Sequence, residues 1–194
     1  EGQLGVVSGT ALETVCARRL QLGDPGGHIR RALAAFPVPE IGMRVLEEYF
    51  VEGGKPEASP FKKVRSFTIH PTGELQELTV AANFVEVYLA KEGHDGLVGI
   101  NYMRKIELPL IFGLYGAVLA GVDYVLMGAG IPRHVPGILD QLAEGKRVEY
   151  PLAMAADGRF VAGEGGGAGQ IVATYGPWTA TSEEIGSASC RERV

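Results

Sequence analysis

The chain has 194 residues, 46% of them hydrophobic and 21% charged, with a formal net charge of −5. That is the balance of an ordinary globular domain. It excludes a disordered chain, and an acidic charge without a basic patch excludes a nucleic-acid partner. Two cysteines, Cys16 and Cys190, make no disulfide framework, and no apolar run reaches the length of a membrane span, so a reducing cytoplasm and no membrane partner are expected.

The chain opens on Leu4-Gly-Val-Val-Ser8, a short apolar strand signal ending at Gly9. Thr10 and Glu13 have the spacing of a capping box, and Leu12, Val15, Cys16 and Leu20 carry a helical period. Asp24-Pro25 reads as a second helix start, with proline at the first helical position and Pro37 ending it. Pro39 opens a third helix that Gly53-Gly54 stops. Residues 55–71 are polar and broken by prolines, a loop with one extended piece over Val64–Ile69. The strongest helix is expected over 74–92, capped by Thr72 and stopped by Gly93. A buried-type strand over Leu97–Asn101, a helix over 109–120, a strand over Tyr124–Met127, a loop at Gly128–Pro132 and a helix over 135–144 follow. Val148–Met154 reads as a fourth strand.

Apolar strands alternating with amphipathic helices predict parallel strands with helices outside. The expected class is therefore α/β. Three or four such strands do not close an eight-stranded barrel. They make a small open sheet or a piece of something larger, and a core strand that begins at once behind Glu1, which is not Met, favours the piece. Residues 1–156 form this part, and 157–185 an irregular glycine-rich segment containing Gly163–Gly169. Residues 186–194 have no periodicity and read as a non-native tail.

In parallel α/β folds ligands bind at the carboxyl ends of the strands. Three such ends are visible: Ser8-Gly9-Thr10, Asn101-Tyr102-Met103 and Gly128-Ala129-Gly130. Glycines admit close backbone approach, and an asparagine amide both donates and accepts, which together suit a flat ring edge. Each feature is also what a plain turn uses. His28, His70, His94 and His134 have no partner at metal-ligand spacing, so no metal is expected and the four read as structural or surface residues. No nucleophile elbow and no phosphate loop is present. Cys16, on an apolar helix face, reads as a core thiol.

Four blocks, in order, carry a resemblance: Gly2 to Thr10, Glu77 to Val87, Lys91 to Asn101 and Gly121 to Pro132. Together they resemble the nitronate monooxygenases, formerly called 2-nitropropane dioxygenases. The resemblance runs from Gly2 to Met154. It implies an FMN-dependent oxidoreductase on a (β/α)8 barrel, oxidising alkyl nitronates with O2 to a carbonyl compound and nitrite, with residues 1–156 as a partial TIM-type (β/α)8 barrel. By position it implies flavin contact at Ser8, Gly9, Asn101, Gly128, Ala129 and Gly130. The family's first flavin loop and its histidine-bearing segment have no counterpart here, so no catalytic residue is assigned. The chain alone is expected to bind flavin weakly and to turn nothing over. Two alternatives stand beside this: a flavin-dependent enoyl-acyl-carrier-protein reductase-like barrel acting on an acyl compound, and a non-catalytic α/β binding module.

Overall fold

The computed structural model describes residues 3–152 and, for the backbone, 169–171. In chain order the elements are β1 (Leu4–Ser8), α1 (Leu12–Gln21), a 3₁₀ turn (Pro25–Gly27), α2 (His28–Ala34), α3 (Pro39–Tyr49), α4 (Gly73–Lys91), β2 (Leu97–Met103), α5 (Leu110–Leu119), β3 (Tyr124–Gly128), α6 (Val135–Ala143), β4 (Tyr150–Leu152) and β5 (Gly169–Ile171).

β1, β2 and β3 form a parallel sheet in chain order. The chain is thus an α/β protein with a three-stranded parallel sheet, and helices lie between the strands in sequence. The register runs Leu4↔Leu97, Val6↔Gly99 and Ser8↔Asn101, then Gly99↔Tyr124, Asn101↔Leu126 and Met103↔Gly128. Because side chains alternate along a strand, each of these rows shares one face. The opposite face carries Val98, Ile100 and Tyr102, all buried, and packs on the helices.

The first face is open among the described residues, with Leu4, Val6 and Leu97 exposed at 41%, 49% and 44%. A parallel sheet is usually covered on both faces. Here α4 and α5 cover one. Nine of the ten residues of α5 are buried, because α4, the sheet and α6 surround it. The two helices meet backbone to backbone at Gly116, where a Cβ would sit 2.1 Å from the Val80 carbonyl oxygen.

At the amino end of the sheet Asp123 joins three segments. Its Oδ2 accepts from the Val98 N–H (2.8 Å) and from Lys91 Nζ (2.5 Å), and its own N–H donates to the Val98 carbonyl (2.9 Å).

Several local expectations are corrected. The Thr10–Glu13 capping box does not form. α1 starts at Leu12 behind Ala11, which is left-handed (φ 56°) and gives no side-chain cap. The turn leaving β1 closes instead on Ser8, whose hydroxyl accepts from the Thr10 N–H (3.3 Å). Helix α2 begins at His28 rather than Pro25, because Gly26 and Gly27 take positive φ and break the first turn. Asp24 still caps it from a distance, accepting from the Ile29 and Arg30 N–H groups (3.1 and 3.0 Å). Thr72 caps α4 as expected, accepting from the Leu75 N–H.

Val64–Ile69 stays within the expected loop and pairs with no strand among the described residues. Its loop is held by side chains instead: Gln21 grips the Lys62 backbone as donor and acceptor (3.1 and 2.6 Å), and Phe67 stacks on Phe112. The fourth strand does not extend the parallel sheet. β4 pairs antiparallel with β5, which takes Gly169–Ile171 out of the stretch expected to be irregular. The remaining residues of 157–185, and the tail at 186–194, lie outside the described residues.

Candidate functional site

The three strands run the same way, so their carboxyl ends share one edge of the sheet. Ser8 and Asn101 are register neighbours there, on the open face, and both are exposed. Beside them stands Leu126, whose side chain lies over Gly99; a Cβ on that glycine would meet Leu126 Cδ1 at 2.8 Å. The result is a serine hydroxyl and an amide beside apolar side chains at this end, with the Tyr124 phenol on the same face toward the amino end.

β2 runs two residues beyond Asn101. The amide therefore stands one row inside the edge rather than at the lip, and Met103 and Gly128 form the last paired row. Gly128 passes its carbonyl to the Arg104 N–H (2.8 Å). Ala129 is left-handed (φ 60°), a conformation costly for any residue with a Cβ, and Gly130 follows at φ 146°. These two residues turn the backbone outward, and Ile131 beyond them is 72% exposed.

Gly9 is needed for a different reason from the one expected of a ligand loop. Its N–H donates to the Asn101 carbonyl (2.9 Å), and a Cβ there would lie 2.3 Å from the Tyr102 ring. The glycine makes room for Tyr102. That ring wedges between the end of β1 and the helices, and its hydroxyl donates to Asn83 Oδ1 (2.8 Å). Asn83 Nδ2 in turn donates to the Thr79 carbonyl (2.9 Å). Burial alone pushes the Tyr102 hydroxyl well above the usual phenol range. The cavity beside it, lined by Gly9, Glu13, Asn83 and Gly113 among others, measures about 10 Å³. It has room for about one water and not for a cofactor.

Two groups at the same edge are additional to those read from the sequence. Arg104 follows β2 directly and forms an ion pair with Glu107. The aliphatic part of Arg104 lies on Gly130, where a Cβ would meet Arg104 Cγ at 2.6 Å. Glu107 is 3% exposed, and its Oε2 is the one buried side-chain oxygen or nitrogen without a partner among the described residues. The signal was in the sequence as an Arg and a Glu three apart directly after a strand, a spacing that lets the two meet.

His134 is exposed and precedes α6, its ring edge-on to Tyr150 at 6.4 Å between centroids. Among the described residues no group of three or more His, Cys, Asp or Glu side chains could hold a metal, and no helix is long and apolar enough to cross a membrane. A roomier cavity of about 490 Å³ lies away from the strand ends, between α3, residues 62–65 and the start of α4. Two ion pairs, Arg44–Glu77 and Lys62–Glu48, lie on its rim.

No protein-family model, no curated protein and no solved structure matches the chain.

Proposed function

We propose that the carboxyl edge of the sheet is one side of a flavin site, and that the protein is an FMN-dependent oxidoreductase of the nitronate monooxygenase type on a partial (β/α)8 barrel. Ser8 and Asn101, adjacent and exposed on an apolar sheet face, carry the reading. In a barrel with helices outside, that open face is the inward one.

The residues present fit one edge of a flavin. The Asn101 amide can donate to and accept from the ring edge, and Ser8 Oγ, which accepts one long bond from Thr10 among the described residues, can donate its hydrogen. Gly128 and Ala129 bring little side chain to this edge, while the Arg104 stem lies on Gly130. Bound flavin would supply the redox chemistry, taking electrons from an alkyl nitronate and passing them to O2, with a carbonyl compound and nitrite as products. The chain's own residues orient the ring and shape an apolar wall. No residue is assigned the role of base. A cytoplasmic location and a small-molecule substrate go with this reading.

The test separates binding from turnover. FMN fluorescence is titrated with the chain and with Asn101→Ala, and nitrite release from propane-2-nitronate is followed separately. The expected result is saturable quenching, even if weak, that the substitution shifts by about one to two decades, since one or two lost hydrogen bonds cost roughly 1–3 kcal/mol. Turnover is expected to be absent. No quenching, or equal quenching by both proteins, rejects the flavin site. Nitrite release would show that a proton-abstracting group lies within these residues.

The acyl-reductase reading shares the barrel and the flavin and differs in needing a nicotinamide donor, so reduction of bound FMN by NADH or NADPH would favour it.

A further inference from the structure

Glu107 is the anomaly of this edge. A carboxylate with 3% exposure and one unpartnered oxygen is costly, whereas a pair left at the surface would cost almost nothing. What the arrangement achieves is the placement of Arg104. The Arg104 backbone N–H is fixed to the Gly128 carbonyl, its stem lies on Gly130, and its guanidinium is drawn to Glu107 from one side. The Arg104 side chain nevertheless remains 25% exposed. A guanidinium has five N–H donors in a planar fork, and one carboxylate, its ion-pair partner among the described residues, leaves donors to spare.

Ile106 follows Arg104 by two residues, and Ile131 follows the Gly130 on which the Arg104 stem lies; they are 37% and 72% exposed. A fixed cation on loops that also display isoleucines suits an anion with an alkyl tail.

We infer that Arg104 is an anchoring residue for a planar, two-oxygen monoanion carrying a short alkyl group, a carboxylate- or nitronate-type head held by the fork with its tail toward Ile106 and Ile131. The planar O–X–O head matches two parallel N–H donors, which a lysine ammonium does not. The inference rests on the proposed site in this respect only: if that site is a flavin site, this anion is the substrate.

The probes are isobutyrate and propane-2-nitronate, with isobutyramide as the uncharged control. Binding to the full chain is measured by ligand-observed NMR and calorimetry, with and without added FMN. Arg104→Gln and Arg104→Lys are compared with the wild type; the lysine retains a stem to lie on Gly130, and far-UV circular dichroism and melting check the fold. Saturable binding of both anions, weakened tenfold or more by Arg104→Gln and nearly as much by Arg104→Lys, with isobutyramide weak and unchanged throughout, is the expected result. Equal binding by wild type and Arg104→Gln, or binding of neither anion in either condition, overturns the inference. Full affinity in Arg104→Lys overturns the fork and with it the planar-head specificity. Arg104-dependent isobutyrate binding without any FMN binding would uphold the anion site while rejecting the flavin reading, so the two fail separately.

Discussion

The Tyr102 hydroxyl donates to Asn83 Oδ1 at 2.8 Å, joining the middle strand of the sheet to α4 through a bond whose two ends are 4% and 1% exposed. A bond this deep is expensive to leave half made. Tyr102→Phe should lower stability by about 1–3 kcal/mol, because the Asn83 oxygen stays buried without a donor. For a domain of this size that is about 2–4 °C of melting temperature per kcal/mol. Adding Asn83→Leu should recover most of the loss, since both partners are then apolar. Thermal melts of the single and double variants check this; no recovery in the double variant would show that the hydroxyl acts through something other than this pair.

Two glycines in helices should respond in opposite directions to alanine. At Gly116 the new Cβ would meet the Val80 backbone oxygen at 2.1 Å, which cannot swing aside, so α4 and α5 must part. A loss of about 1–3 kcal/mol or more is expected. At Gly137 in α6 nothing lies within 4 Å, and alanine should stabilise by roughly 0.5–1 kcal/mol through helix propensity. Chemical denaturation of both variants reads the contrast, and a destabilised Gly137→Ala would mean that α6 is packed differently.

Glu13 sits beside the small cavity at the start of α1, and its carboxyl is raised above the ordinary range, chiefly by burial. A raised carboxyl favours the protonated form in the fold. Its contribution is therefore full below the unfolded pKa and is lost as the pH rises through the folded one. Glu13→Gln should thus raise the melting temperature at pH 7 and lose that advantage in acid. Melting curves at the two pH values test it; an equal gain at both would trace the effect to packing instead.

Cys16 is buried on α1, and burial, helped by Asp24, pushes its thiol from 9.0 up to about 12. The fold thus holds the neutral thiol, a contribution present below pH 9 and lost as the pH climbs toward 12. Since the thiolate is the nucleophile, Cys16 should resist iodoacetamide at pH 8 in the folded protein and react once urea unfolds it. Peptide mapping reads the site directly. Rapid modification of Cys16 without denaturant would contradict its burial.

The repeating features were legible in the sequence. Leu4–Ser8, Leu97–Asn101 and Tyr124–Met127 read as strands because they are short apolar runs, and the parallel order follows from the helices between them. Thr72 was legible as a cap because a long periodic helix follows it. Where tertiary contacts decide, the reading stopped short. Thr10 and Glu13 have the spacing of a capping box, yet the Tyr102 ring, nearly a hundred residues away, sets the turn at Gly9. Gly26 and Gly27 delay α2 through backbone freedom that periodicity does not register. Val64–Ile69 has strand-like composition but finds no strand to pair with. Asn101 was recognised as polar at the end of an apolar run, while its row depended on β2 continuing through Tyr102 and Met103. Arg104 and Glu107 were passed over because a charged pair after a strand looks like solvated loop until one member proves to be buried.

Asp123 lies at the other end of the sheet from all of these site residues, and this sets how the molecule divides its labour. One carboxylate fastens the end of α4, the start of β2 and the turn into β3, so two neighbouring strands are pinned like ribs of a fan at the rivet. The rim, where Asn101 and the Gly128–Gly130 loop sit, has no share in that fastening. Substitutions at the rim can re-aim a loop while leaving strand order intact, whereas loss of the Asp123 carboxylate should loosen β2 and β3 together.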